Sequence, residues 1–322
     1  MSAHRSAHGI THLEILVISI IIGLLVALSL SVFKHSNRDR NTVGDLREFI
    51  DYRKQGVPRT FIQDYLNTKS DEKFDVWKKV ANAGLPEGQV LLGLCHLYGA
   101  GVPQKETEAA QWFRKAAEQG LAEGQFQLGE CYAFSKGISG NEAEAVKWYR
   151  KAAEQNHVEA QFSLGMAYYF GEGVPQDTTE GIEWFHRSAE WGYIEAQSFL
   201  GAFYAGGGND ARAIEWHRKA AEQGHGYSQY RIGMRYLIGE GVLQDDEEAV
   251  RWLHKAAEGG YNEAQYMLGI CYFYGRGIDR DAEEATRWLR EAAIQGHEEA
   301  IELLQRIEKE SEEQWEIEVP VQ

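Results

Sequence analysis

The chain repeats itself at a fixed spacing. Tryptophans stand at Trp112, Trp148, Trp184, Trp216, Trp252 and Trp288, and Leu-Gly or Ile-Gly pairs begin at Leu92, Leu128, Leu164, Leu200, Ile232 and Leu268. Both series step by 36 residues, except for one step of 32. A period of about 20 to 50 residues is the mark of a solenoid, because a unit that small cannot bury its own apolar face and must stack on its neighbours. The array takes in everything after about residue 70.

Each unit reads as two helices. Ala109, Trp112, Phe113, Ala116 and Ala117 form one apolar stripe at i, i+3, i+4, i+7 and i+8, which predicts a helix from about Glu106 to Gln119. Its start is marked in later copies by Asn141, Asp177, Asn209, Asp245 and Asp281, short polar residues able to accept a first-turn N–H. Glu144, Glu180, Glu248 and Glu284 follow three positions later and complete a capping box; Arg212 breaks it in the fourth copy, and Lys105 replaces the cap in the first. Gly120, Gly192, Gly224, Gly260 and Gly296 stand just past the helix end, where a positive φ is usual. The other helix carries Gln-aromatic-x-Leu-Gly, as in Gln161, Phe162, Leu164 and Gly165, with the glycine allowing close approach of a neighbouring helix.

The unit AQFSLGMAYYFGEGVPQDTTEGIEWFHRSAEWG resembles the Sel1-like repeat, a relative of the tetratricopeptide repeat, and its sister copies complete the LGxxY, GxGV, AxxW and KAAxxG elements. Six copies fall at about 85–120, 121–156, 157–192, 193–224, 225–260 and 261–296. Phe74 to Gly84 resembles the second helix of an amino-terminal cap, and His297 to Lys309 a closing helix. Asn156 replaces the terminal glycine of the second copy, Ser139-Gly140 replaces its usual loop, and the fourth copy has lost four loop residues, leaving Gly206-Gly207-Gly208 as the turn. The resemblance implies an all-α fold, an α/α superhelical solenoid over 71–310 with a concave wall, and a role as a binding scaffold or adaptor.

Ile15 to Phe33 is a run of 19 residues without a charge, enough as a helix to cross roughly 30 Å of hydrocarbon. It exceeds a typical secretory-signal core, and Leu28 to Phe33 offers no clear small-x-small cleavage site. Glu14 stands at its edge, although an acidic group at the centre of a membrane helix costs on the order of 3 kcal/mol. The segment GITHLEILVISIIIGLLVAL resembles the processing site and first helix of type IV prepilins and pseudopilins. That resemblance implies a leader over 1–9 ending at Gly9, a mature terminus at Ile10, a transmembrane helix over 10–33, and Glu14 pairing with the new α-amino group of a neighbouring subunit. Gly23 also matches a glycine common in that helix. The alternative is an ordinary signal-anchor in which Glu14 has no special role. Lys34, Arg38 and Arg40 follow the apolar run and only Arg5 precedes it; by the positive-inside rule this puts the repeats in the cytoplasm, whereas the pilin-like reading puts them outside the cytoplasmic membrane.

Residues 34–70 are polar and weakly amphipathic, with Val43, Leu46, Phe49 and Ile50 on one side and Gly56-Val57-Pro58 as a break; they read as a helical stalk and a hinge. The small antiparallel sheet of a pilin head has no counterpart here, since no alternating strand pattern occurs. Residues 311–322 form an acidic tail, and Glu308 to Glu318 holds six glutamates and one lysine.

With 49 acidic against 33 basic residues the formal net charge is −16, the wrong sign for neutralising phosphates, so a nucleic-acid partner is excluded. Cys95, Cys131 and Cys271 share one register of the first helix; equivalent positions in adjacent repeats lie about 8 to 10 Å apart, too far for a disulfide, so they read as small core residues. The pattern of two cysteines per repeat found in cysteine-rich Sel1 proteins is not present. Gly99-x-Gly101, Gly171-x-Gly173, Gly239-x-Gly241 and Gly275-x-Gly277 follow helices and lack a third glycine, which makes them interhelix turns rather than phosphate loops. The histidines recur singly, as His186 and His254 two after the tryptophan or His157, His225 and His297 at repeat junctions, without metal-ligand spacing. No cofactor, no metal and no catalytic residue is assigned, because a cell-wall hydrolase or penicillin-binding enzyme needs a nucleophile with a base that the sequence does not offer.

The partner expected is a protein or peptide, with pilin-type assembly partners if the prepilin resemblance holds and with the membrane engaged through the first helix. By analogy with tetratricopeptide arrays, the concave wall is expected to carry Phe126, Phe162, Tyr230 and Tyr266 before the Leu-Gly pair, and Tyr98, Phe134, Phe170 and Tyr274 at the end of the same helices. Glu87, Glu123, Glu159, Glu195 and Glu263 supply a charged margin. The competing reading has the aromatics packing between repeats.

Overall fold

The computed structural model describes residues 41–50 and 59–307, and these hold fifteen helices and no strand. In chain order they are α1 (41–50), α2 (Arg59–Asn82), α3 (Pro86–Tyr98), α4 (Glu106–Glu118), α5 (Ala122–Ala133), α6 (Glu142–Ala153), α7 (Val158–Phe170), α8 (Thr178–Glu190), α9 (Ile194–Gly206), α10 (Asp210–Glu222), α11 (Gly226–Ile238), α12 (Asp246–Glu258), α13 (Asn262–Tyr274), α14 (Ala282–Ile294) and α15 (298–307). The chain divides into two compact units, one reaching Trp148 and one beginning at Tyr149.

The first unit packs α1 to α5 around one core. Phe113 of α4 is fully buried among Leu91 and Leu94 of α3, Leu128 of α5 and Trp77 of α2. Gly93 explains how close α3 and α4 come: a Cβ there would lie 2.5 Å from the Phe113 ring. The described residues of the segment read as a stalk contribute to this core. Leu46 and Phe49 of α1 are buried against it, and the Asp45 carboxylate accepts from the Trp77 indole N–H at 2.8 Å while pairing with Lys73. Residues one turn apart bury together because an apolar stripe has nowhere else to go next to an open first repeat. The expected boundary at residue 70 falls inside α2, a single helix of 24 residues.

In the second unit, pairs of helices repeat with local signals that agree with the sequence. Asp177, Asn209, Asp245 and Asp281 accept the N–H groups of Glu180, Arg212, Glu248 and Glu284 at 3.0, 3.2, 2.9 and 3.0 Å. Arg212 interrupts the capping box without removing the cap, since the asparagine oxygen alone satisfies the first-turn donor. The junction histidines have the same task on the other helix: His157, His225 and His297 present Nδ1 to the N–H of Ala160, Ser228 and Ala300. Asn156 takes the left-handed conformation of the glycine it replaces, with φ +63°. Candidate residues Gly9, Ile10 and Glu14, the leader, the 10–33 helix and the 311–322 tail lie outside the described residues; among those described, no helix is long and apolar enough to cross a membrane.

A buried glutamine in each repeat ties helix to helix. Gln125, Gln161, Gln197, Gln229 and Gln265 donate Nε2–H to the carbonyls of Ala117, Ala153, Ala189, Ala221 and Ala257 at 3.0 to 3.4 Å. In three repeats the Oε1 accepts from a glutamine at the end of the same repeat: Gln119 donates to Gln89 at 2.8 Å, Gln223 to Gln197 at 2.8 Å and Gln295 to Gln265 at 2.7 Å. Such pairing is favoured for a buried amide, since each unmade bond costs about 1 to 3 kcal/mol.

Candidate partner-binding surface

The eight aromatics expected on one wall divide into two groups. Phe126 is buried; Phe162 sits 5.4 Å from the rings of both Phe185 and Tyr193; Tyr230 lies 5.4 Å from Tyr261; and Tyr266 stacks on His297 at 4.5 Å. Phe162, Tyr230 and Tyr266 thereby join one repeat to the next. Tyr98 is half-buried against the first unit's core. Phe134, Phe170 and Tyr274 instead are 64%, 52% and 69% exposed. The geometry of the helix separates the columns: eight residues turn the side chain by about 80° and advance it by about 12 Å. Being aromatic and periodic, both columns look alike in sequence, yet only the second is open to a partner.

Ile238 occupies the register of Phe134, Phe170 and Tyr274 and is 59% exposed. A search for aromatics passes over it; counting six residues on from every Leu-Gly or Ile-Gly pair finds it, with Gly206 as the blank in the shortened copy. Phe170 is held in place by Tyr169, whose ring meets it edge-on at 5.0 Å, and Lys136 lies 4.8 Å over the Phe134 ring.

The glutamate margin is corrected more sharply. Glu123 and Glu159 are buried: Gln127 Nε2–H donates to Glu123 at 2.8 Å, and His157 Nδ1 lies 3.3 Å from Glu159. Glu87 and Glu263 are half-buried, and only Glu195 is exposed. Carboxylates at a helix N-terminus are favoured by the local dipole, which is reason enough for their recurrence there.

In four copies the polar side chain two residues after the tryptophan reaches the next helix pair. Arg114 donates to the Tyr132 hydroxyl at 2.9 Å, Arg218 to that of Tyr236 at 3.0 Å and Arg150 to that of Tyr168, while His186 lies 2.8 Å from the Tyr204 hydroxyl. Trp184, Trp216, Trp252 and Trp288 are buried, with Arg187, Lys219, Lys255 and Arg287 capping their outer ring faces at 4.0 to 4.4 Å.

The three cysteines are free and buried, as their register indicates, and burial pushes the thiols of Cys95 and Cys131 up to about 12 and that of Cys271 to about 11. Among the described residues no three His, Cys, Asp or Glu side chains gather to hold a metal ion. One polar cluster lies inside: Ser228 Oγ is 3.3 Å from His217 Nδ1 and 3.0 Å from His225 Nδ1, with Ser228 and His217 fully buried. Nearby Arg235, also buried, donates to Asp210 at 2.9 Å and to the Glu240 carbonyl at 3.2 Å. Sequence inspection missed this cluster; its signal is a polar residue in a register that other copies fill with Phe, Leu or Cys.

The Sel1 repeat profile matches residues 86–121, 122–157, 158–193, 194–225, 226–261 and 262–297, more than half of the chain and one residue out of phase with the spacing read from the sequence. No curated protein matches it. Two solved structures are similar. One is c5321, a protective antigen of uropathogenic Escherichia coli strains displaying an SLR fold, at 31% identity and a TM-score of 0.69 over 80% of this chain; the similarity spans 58% of that protein's length. The other is a Sel1 repeat protein from Oxalobacter formigenes, at 33% identity and a TM-score of 0.67 over 76% of this chain and 75% of that one. Helix pairs, caps, buried glutamines and turn glycines recur in the register that the profile marks, and the chain belongs to the Sel1 repeat family.

Proposed function

We propose that this chain is a membrane-tethered scaffold that binds a protein segment along the exposed column formed by Phe170, Ile238 and Tyr274 in the second unit. One observation carries the reading: a large apolar residue recurs at one register and stays open, while the equally periodic Phe126, Phe162, Tyr230 and Tyr266 are packed. Exposed apolar groups in a defined row cost solubility and are characteristic of interaction surfaces. Cross-linking the full chain in its native membrane, as wild type and as Phe170→Ala/Tyr274→Ala, tests it. Loss of the cross-linked partner with unchanged circular dichroism is the expected outcome; an unchanged partner yield removes the column from the interface.

Tethering rests on the 19-residue apolar run, and the pilin-like assignment on Gly9, Ile10 and Glu14. In this proposal a prepilin peptidase cleaves after Gly9, Ile10 becomes the mature terminus, Glu14 pairs with a neighbouring subunit in a filament or secretion assembly, and the repeats lie outside the cytoplasmic membrane. Intact mass of the membrane-extracted protein checks cleavage, and Gly9→Ala blocks it. A product keeping residues 1–9 in a peptidase-positive host would favour the second reading, a plain anchor with cytoplasmic repeats, which Lys34, Arg38 and Arg40 support.

A further inference from the structure

The glutamine ladder is interrupted twice. The register that holds Gln119, Gln223 and Gln295, each donating to a buried amide oxygen of its own repeat, holds Trp191 in the third copy and Gly259 in the fifth, and of these two repeats only the third leaves its buried glutamine oxygen without a partner. Gln161 keeps its bond to the Ala153 carbonyl at 3.2 Å, which fixes Nε2 inward and leaves Oε1 as the acceptor facing the ladder. That oxygen is buried, in a residue only 2% exposed, and has no hydrogen-bond partner. Trp191 itself caps the end of α8 and is 68% exposed, in contrast to the buried tryptophans of the main series.

The surroundings are acidic. Glu154, Glu190 and Glu222 stand exposed at a register that Glu118 and Glu258 also fill, at helix ends where the dipole disfavours a carboxylate. The cations close by in sequence are engaged: Arg187 lies 4.4 Å over the Trp184 ring and Lys219 pairs with Glu215 at 2.9 Å. An acceptor without a donor, an uncovered indole face and a row of carboxylates converge on one ligand chemistry. A guanidinium is flat enough to stack on the indole, donates N–H groups in its plane, and carries the complementary charge. An ammonium shares only the charge.

We propose that the Trp191 end of α8, with Gln161 Oε1 as acceptor and the flanking glutamates as counter-charge, is a recognition site for an arginine side chain of a partner segment. The inference rests on the scaffold reading for the origin of that arginine, and it adds the chemistry the partner carries.

The test uses the full chain labelled with fluorotryptophan, in which the Trp191 fluorine resonance is identified by its loss in Trp191→Gln. N-acetylarginine amide is expected to shift that resonance saturably and to leave those of Trp184, Trp216, Trp252 and Trp288 in place, with N-acetyllysine amide binding about tenfold more weakly. Gln161→Ala is expected to weaken the arginine compound about fivefold, the equivalent of one hydrogen bond, while Trp191→Phe keeps part of the stacking. Equal shifts with the lysine compound would reduce the site to charge attraction and overturn the proposal, as would no shift at all, or full affinity in Gln161→Ala. The scaffold reading stands or falls separately: a partner that cross-links through Phe170 and Tyr274 without any arginine effect at Trp191 sinks only this site, and arginine binding in a chain that captures no protein through that column sinks only the scaffold.

Discussion

One residue after the repeat tryptophan, α12 and α14 place Leu253 and Leu289 against the glycine of the paired helix, whereas α10 places His217 there, and all three are fully buried. At the tenth residue of the first helix in a pair the contrast repeats: Cys271 of α13 faces the core as a small apolar group, and Arg235 of α11 occupies the same register as a buried cation tied to Asp210. The backbone is the same in both regions. The repeat therefore fixes a shape and leaves the chemistry of its core to be chosen locally, provided that polar atoms are paired. In the α10–α11 region pairing is incomplete, with His217 Nε2 and Arg235 Nε lacking hydrogen-bond partners. Burial lowers the His217 pKa to about 3, helped by the positive charges of Arg231, Arg235 and His225.

The largest effect is expected where the core is apolar. Phe185, fully buried and 4.2 Å from the Phe199 ring, is expected to cost about 3 to 5 kcal/mol on replacement by alanine, read from the denaturation midpoint at constant slope. A loss below about 1 kcal/mol would mean that the repeat core is not what holds the second unit together.

Acid separates the two regions next. The unfolded His217 takes up a proton near pH 6.5, while the folded one resists it until about pH 3. Stability from this residue is therefore complete above about pH 6.5 and falls as pH drops, by about 1.4 kcal/mol per unit, until the folded pKa is reached. Between pH 7 and 5 the wild type is expected to lose about 2 kcal/mol more than His217→Leu, which restores the residue type of the sister repeats. Equal acid sensitivity in both would show that other histidines carry the effect.

A smaller effect of opposite sign is expected at the broken ladder. Trp191→Gln supplies the donor that Gln161 lacks and should raise stability by about 1 kcal/mol. A destabilised variant would indicate that the indole contributes more by packing than its exposure suggests. Phe170→Ala should be the mildest, within about 0.5 kcal/mol, since the side chain is half in water. A larger loss would return the exposed column to the core.

Much of the molecule was legible because its determinants are local. The 36-residue step, the Asn and Asp caps and the turn glycines each act within a few residues of their own position, and Asp177, Asn209, Asp245 and Asp281 do in the structure what their register requires. The amphipathic stripe of α1 was visible too, but not its destination: Leu46 and Phe49 say that a face must be covered, and only the position of Trp77 and Leu66 says by what.

Spacing, backbone preference and composition are enough to specify the repeat, the two helices in each copy, the conformation of the turns and the negative charge. Tertiary structure alone decided which periodic aromatics are surface and which are seam, that Glu123 and Glu159 are inside while Glu195 is not, and that Gln161 is left without its donor. Periodicity places residues in a common register, but burial depends on what the neighbouring repeat lays over them, and that is a property of two segments 30 or so residues apart rather than of either one.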